Sequence, residues 1–146
     1  MSHVVKCNFA VTDIDTLARA VETLGCELVK GQTSYKWFGR SVGDYPLPKG
    51  FTAEDLGKCD HAIRIPGHPE AYEIGVVRAK DGSNSFTLLW DFWQGGFGME
   101  EKVGQDATLL HQAYTAQTAM DYYNELGYSV SMTRQENGEL VLEAMR

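Results

Sequence analysis

The chain is predicted to be a single α+β domain spanning 1–146. It should hold an antiparallel sheet with two covering helices, arranged as two βαββ-like halves in a ferredoxin-like layout with added strands. Three observations predict this. Short apolar runs alternate with a period of two, two longer segments carry apolar residues at helical spacing, and each end of the chain reads as strand, helix, then strands. Hydrophobic residues make up 43% and aromatics 11% of the 146 residues, enough for one core at the usual domain size.

The first strand is predicted over 3–10, with Val4, Val5, Cys7 and Phe9 as its apolar members. A helix follows, because Ile14, Leu17, Ala18, Val21 and Leu24 form one face, Thr12 and Asp15 make a capping-box pattern, and Gly25 supplies a stop. Residues 26–30 read as a second strand, and 35–38 as an aromatic one. The stretch 39–58 holds Gly39, Gly43, Pro46, Pro48, Gly50 and Gly57, and is expected to be a long loop insertion covering the sheet, with one helical turn capped by Thr52 and Asp55.

Residues 60–65 read as a short strand, and 72–79 with 86–93 as a hairpin. Pairing Ala79 with Phe86 sets Gly75 opposite Trp90, where a glycine would leave room for the indole, and sets Ile74 opposite Asp91. The competing register is a two-residue shift. A second helix over 107–126 uses Leu109, Ala113, Ala116, Met120 and Tyr123 as its stripe. A final hairpin turns at Asn137-Gly138. Leu24-Gly25-Cys26 echoes Leu126-Gly127-Tyr128, each placed between a helix and a strand.

The charge balance narrows the function. Thirteen basic against 20 acidic residues give −7, without a basic stripe, which argues against general binding of a nucleic-acid backbone. Cys7, Cys26 and Cys59 are odd in number and widely spaced, so no disulfide framework is expected and a reducing, cytoplasmic setting fits. No apolar run approaches the roughly 20 residues of a membrane span, and 1–6 lack a signal peptide's apolar core.

Catalytic motifs are not legible. Cys59-Asp60-His61 with His68 lacks metal-site spacing, and no metal or cofactor is expected. No nucleophile elbow or phosphate loop is present, and Gln94-Gly95-Gly96-Phe97-Gly98 reads as a hinge or close-approach loop. Asp91 is the informative acid. On a strand, Phe86, Leu88, Trp90 and Phe92 share one face, which is core, while Thr87, Leu89, Asp91 and Trp93 share the other. A carboxylate there belongs either to a closed hydrogen-bond network or to a pocket, with Arg64, Arg78, His61, Gln112, Tyr72 and Tyr114 as candidate donors. In the pocket version Trp37, Phe38 and Trp93 supply flat walls, and an arginine, Arg40 included, orients a polar ligand.

Asp13-Ile14-Asp15-Thr16-Leu17, Tyr72-Glu73-Ile74-Gly75-Val76, Asp91-Phe92-Trp93, Leu110-His111-Gln112-Ala113-Tyr114 and Asn137-Gly138-Glu139-Leu140 occur in that order. In this order they resemble a domain-of-unknown-function family that includes a hypothetical plastid reading frame, with cyanobacterial, bacterial and phage relatives. The resemblance spans nearly the whole chain. It implies a small cytosolic or stromal protein with no assigned reaction, and it transfers no catalytic residue.

The residues therefore point first to a non-enzymatic, self-associating binding protein that meets a partner through an aromatic sheet face. The alternative is a binder or sequestering protein for a nucleotide-like or other anionic metabolite, including one of phage origin. A third reading pairs Asp91 with His61 as acid and base.

Overall fold

The computed structural model describes residues 3–7, 9–39 and 46–146. Five strands, β1 (Val4–Lys6), β2 (Glu27–Lys30), β3 (His61–Arg64), β4 (Ile74–Arg78) and β5 (Phe86–Asp91), form one antiparallel sheet in the order β1-β5-β4-β3-β2. The α+β class and the antiparallel sheet are as predicted. Helix α1 (Ile14–Glu22) connects β1 and β2, which lie at opposite edges, so it crosses the whole sheet. A short helix α2 (Met99–Val103) and the long helix α3 (Thr108–Glu125) follow β5. The last two strands, β6 (Ser129–Arg134) and β7 (Leu140–Met145), pair only with each other as a separate two-stranded sheet against α3.

Strand alternation divides the core in two. Ile63, Ile74, Val76, Leu88 and Trp90 pack on the helix side with Leu17, Val21, Met99, Val103 and Leu110. Burying each such side chain is worth roughly 1.5–3 kcal/mol. Val4, Ala62 and Leu89 pack on the other side beneath Tyr35, Leu56, Trp37 and Phe51. The segment predicted as a covering loop thus does cover the second face, and its one turn, Ala53–Asp55, is fixed by the Thr52 N–H donating to Asp55 Oδ2 at 2.8 Å.

Four expectations are corrected. The β4–β5 register pairs Ile74 with Trp90, Gly75 with Leu89 and Val76 with Leu88, one residue from the predicted pairing. Cross-strand partners share a face, so Ile74 and Val76 reach the helix-side core only if they oppose Trp90 and Leu88. Gly75 then makes room for the Tyr35 ring on the far side, not for an indole. Residues 35–38 make no strand; an isolated bridge pairs the preceding Ser34 with Lys58, the Tyr35 N–H donates to Gly57 O, and Lys36 O accepts the Glu73 N–H. The α1 cap is Asp13, whose Oδ1 accepts the Asp15 and Thr16 N–H groups at 3.0 and 3.1 Å, because the Thr12 N–H is taken by the Tyr114 hydroxyl. The buried stripe of α3 runs through Leu110, Ala113, Tyr114, Ala116 and Gln117, which leaves Leu109 and Met120 half-buried and Tyr123 exposed.

The likeness between the two ends is a shared helix stop. At α1, Cys26 N–H reaches Val21 O and Gly25 N–H reaches Glu22 O; at α3, Tyr128 N–H reaches Tyr123 O and Gly127 N–H reaches Asn124 O. Both are Schellman closures with a left-handed glycine, at φ +78° and +91°.

Candidate functional site

The predicted site residues fall into separate groups. Asp91 is fully buried, and three backbone N–H groups bond to its carboxylate: His3 and Trp93 to Oδ1 at 3.0 Å each, Phe38 to Oδ2 at 3.1 Å. Of the two readings the closed network is the one present, and among the described residues no side chain donates to Asp91. Beside it, residues 94–97 form a left-handed turn, with φ between 52° and 64° at four successive positions. Gly95 and Gly96 adopt this at little cost, whereas Gln94 and Phe97 are strained. Tyr72 holds the turn through its N–H to Gly96 O at 2.8 Å and a ring contact to Phe97, while the Trp93 ring meets His3 edge-on at 5.1 Å. Burial, followed by the Asp91 charge, raises the Tyr72 pKa.

The other candidates lie elsewhere. His61 shares the helix-side face with Leu88 through Val76, and its Nδ1 accepts the Gly31 N–H at 3.0 Å. Asp91 lies on the opposite face with Leu89 and Val4, so the two cannot meet as acid and base. Arg64 pairs with Glu27 at 3.0 Å, and Arg78 lies over the Phe86 ring at 4.9 Å. Trp37 sets its indole against Gly57 in the covering segment. Arg40 lies outside the described residues. The Asp60 carboxylate accepts the Arg78 N–H at 2.8 Å, and His68 pairs with Glu70, so neither joins Cys59. Among the described residues no group of three or more potential ligands could hold a metal, and no helix is long and apolar enough to cross a membrane. All three cysteines are free; burial raises Cys7 to about 12, and Cys26 and Cys59 to about 11, so they stay protonated.

Gln112 and Tyr114 lead to a different surface. Gln112 Nε2 donates to Gly138 O at 3.2 Å and ties α3 to the β6–β7 turn, while the Tyr114 hydroxyl accepts the Thr12 and Asp13 N–H groups. Between these anchors the outer face of α3 stands open. From 108 to 122 its exposed residues are Thr108, His111, Thr115, Thr118 and Tyr122, spaced three and four apart, and none of the five is an acid, a lysine or an arginine; the exposed Glu125 follows at the next step. A groove of about 560 Å³ separates this face from Leu140 and Leu142 of β7. A second, of about 620 Å³, separates it from Phe9 and Ala10, with the His111 ring stacked on Phe9 at 4.4 Å.

Comparison with protein-family profiles, curated proteins and solved structures returns no match.

Beyond the grooves, Tyr122, Leu126 and Met145 are 58%, 53% and 66% exposed, and Tyr123 and Tyr128 stand edge to face, with Arg146 over the Tyr128 ring at 4.8 Å. Tyrosine and arginine are the side chains most enriched at binding hot spots. The apolar side of the hairpin, Val130, Met132, Leu140 and Leu142, is only half-buried by α3. This surface was missed from sequence because the α3 stripe was placed one residue away. The signal was present in the uncharged positions Thr108, His111, Thr115, Thr118 and Tyr122, which recur three and four apart.

Proposed function

We propose that the protein is a non-enzymatic binding protein that self-associates through the outer face of α3 and the β6–β7 hairpin. The supporting observation is the uncharged seam Thr108, His111, Thr115, Thr118 and Tyr122 on an otherwise acidic chain. Two copies at −7 each repel everywhere that charge is displayed, and least along a neutral strip. The three-four spacing is that of helix pairs that interdigitate, and small residues at Thr115 and Ala119 allow close approach. In a twofold, antiparallel pairing centred near Thr115, Tyr122 of one copy meets the Thr108–His111 end of the other. A reducing, cytoplasmic setting is part of this proposal, in keeping with three free cysteines.

Sedimentation velocity over a concentration series tests the proposal. The wild type should show a monomer–dimer equilibrium. Thr115→Arg, which sets two like charges across the twofold axis, should be monomeric with an unchanged circular dichroism spectrum. A wild type that remains monomeric at high micromolar concentration would refute self-association.

A further inference from the structure

We propose that a trough on the second face of the sheet, where β1 and the β4–β5 turn meet the covering segment, binds a small phosphate-bearing anion. Lys6, Lys49 and Lys80 line one cavity of about 460 Å³ together with Phe51, Asp81 and Thr87. These lysines come from three separate stretches of a chain with 20 acids and 13 bases, and they converge on one opening. The volume is within the range of small-molecule sites.

The trough is built, not merely charged. Lys80 Nζ donates to Asp55 Oδ2 at 2.6 Å and to Gly50 O at 3.3 Å, and lies 4.7 Å from the Phe51 ring centre. Lys80 thereby clamps the 50–55 stretch against the sheet and is a positioning residue. Lys6 and Lys49 form no salt bridge among the described residues. The acid in the lining, Asp81, turns its Oδ1 to the Ser83 N–H at 2.9 Å. Lys6 and Lys49 bring two ammonium groups to the opening against the one carboxylate of Asp81, whose pKa is lowered chiefly by Ser83 and in smaller part by Lys6. The Thr87 hydroxyl, half-buried on the same face, has no hydrogen bond among the described residues and adds a neutral donor.

The donor chemistry selects the ligand class. Lysine binds phosphate as a compact point charge, whereas a planar carboxylate is met best by the guanidinium fork, and the described lining contains no arginine. An adjoining cavity of about 380 Å³ shares Lys6, Asp81 and Thr87 and continues toward Ser85, leaving space for a second phosphate or an organic tail. The anionic-metabolite alternative read from the arginines is thereby relocated to the lysines. The trough is separate from the α3 seam, so each proposal stands or falls alone.

Isothermal titration calorimetry and thermal shift with pyrophosphate, at constant ionic strength, test the inference. Binding should saturate, and Lys6→Gln and Lys49→Gln should each weaken it about tenfold, as expected for loss of one charge-assisted bond. Lys58→Gln, an exposed lysine outside the trough, should leave it unchanged, and circular dichroism should report the same fold for all variants. Pyrophosphate that stabilises no more than sodium chloride of equal ionic strength would overturn the proposal. So would full affinity in the Lys6→Gln/Lys49→Gln double variant.

Discussion

Replacing Gly75 with alanine is the most direct probe of the sheet's second face. The added Cβ would lie 2.5 Å from Tyr35 Cε1 and 3.0 Å from Cγ, and closer still to Cδ1. Carbon atoms rest about 3.5–4.0 Å apart, so the ring must retreat by about 1 Å. It has little freedom to do so, being 3% exposed with its own N–H bonded to Gly57 O. Overpacking of this kind costs about 1–3 kcal/mol, and the gain from replacing a strand glycine offsets about 0.5–1 kcal/mol. A net loss of about 1 kcal/mol should lower the melting temperature by about 2–4 °C for a chain of this length. The assay is urea and thermal denaturation at one fixed protein concentration, in wild-type and Tyr35→Ala backgrounds, closed as a double-mutant cycle. With the ring gone, the alanine should be neutral or mildly stabilising. Equal losses in both backgrounds would refute the Tyr35 contact as the reason for the glycine.

Three further outcomes are expected. Asp91→Asn exchanges a carboxylate that accepts three N–H groups for an amide that must turn its own donors toward them, and should cost about 2–4 kcal/mol in urea unfolding; a loss below about 0.5 kcal/mol would contradict the closed network. Gln94→Gly relieves a left-handed backbone at an exposed position and should stabilise by about 0.5–1 kcal/mol in thermal melts. Burial raises the Asp121 pKa, but donors from Arg19, Thr16 and Gln117 outweigh it, so the folded value is lowered. Its stabilisation is therefore complete above the ordinary carboxylate value and is lost as pH falls through the lowered one. Asp121→Asn should remove that acid-side dependence and, since Arg19 is half exposed, cost no more than about 1–2 kcal/mol at neutral pH.

The elements with clean periodicity were legible. The α1 face, the β3–β5 strands, the final hairpin and the covering role of the 39–58 stretch, seen in its described part from 46, follow from spacing and turn residues alone. The β4–β5 register was misread because one glycine was assigned to the nearest large side chain, Trp90, when the ring that needs it comes from Tyr35, some 40 residues away in the chain. The sidedness of Ile74 and Val76 held the information to correct it. Asp91 was recognised as an acid that needs donors, but backbone N–H groups carry no residue signature, so side chains were nominated instead. The lysine trough had no local signal at all: Lys6, Lys49 and Lys80 become neighbours only through the strand order and the fold-back of the covering segment.

The carboxylate of Asp91 also works as a knot in the chain. It joins backbone positions 88, 53 and 2 residues away, from the N-terminal stretch, the residue that leads into the covering segment and the residue that leads into the left-handed turn. Peeling the first strand, lifting the cover or unwinding the turn each withdraws one donor from a charge that has no water to replace it. These three openings are therefore not independent. The His3, Phe38 and Trp93 amides should surrender their hydrogens to solvent together, as one unit spread across three distant parts of the sequence.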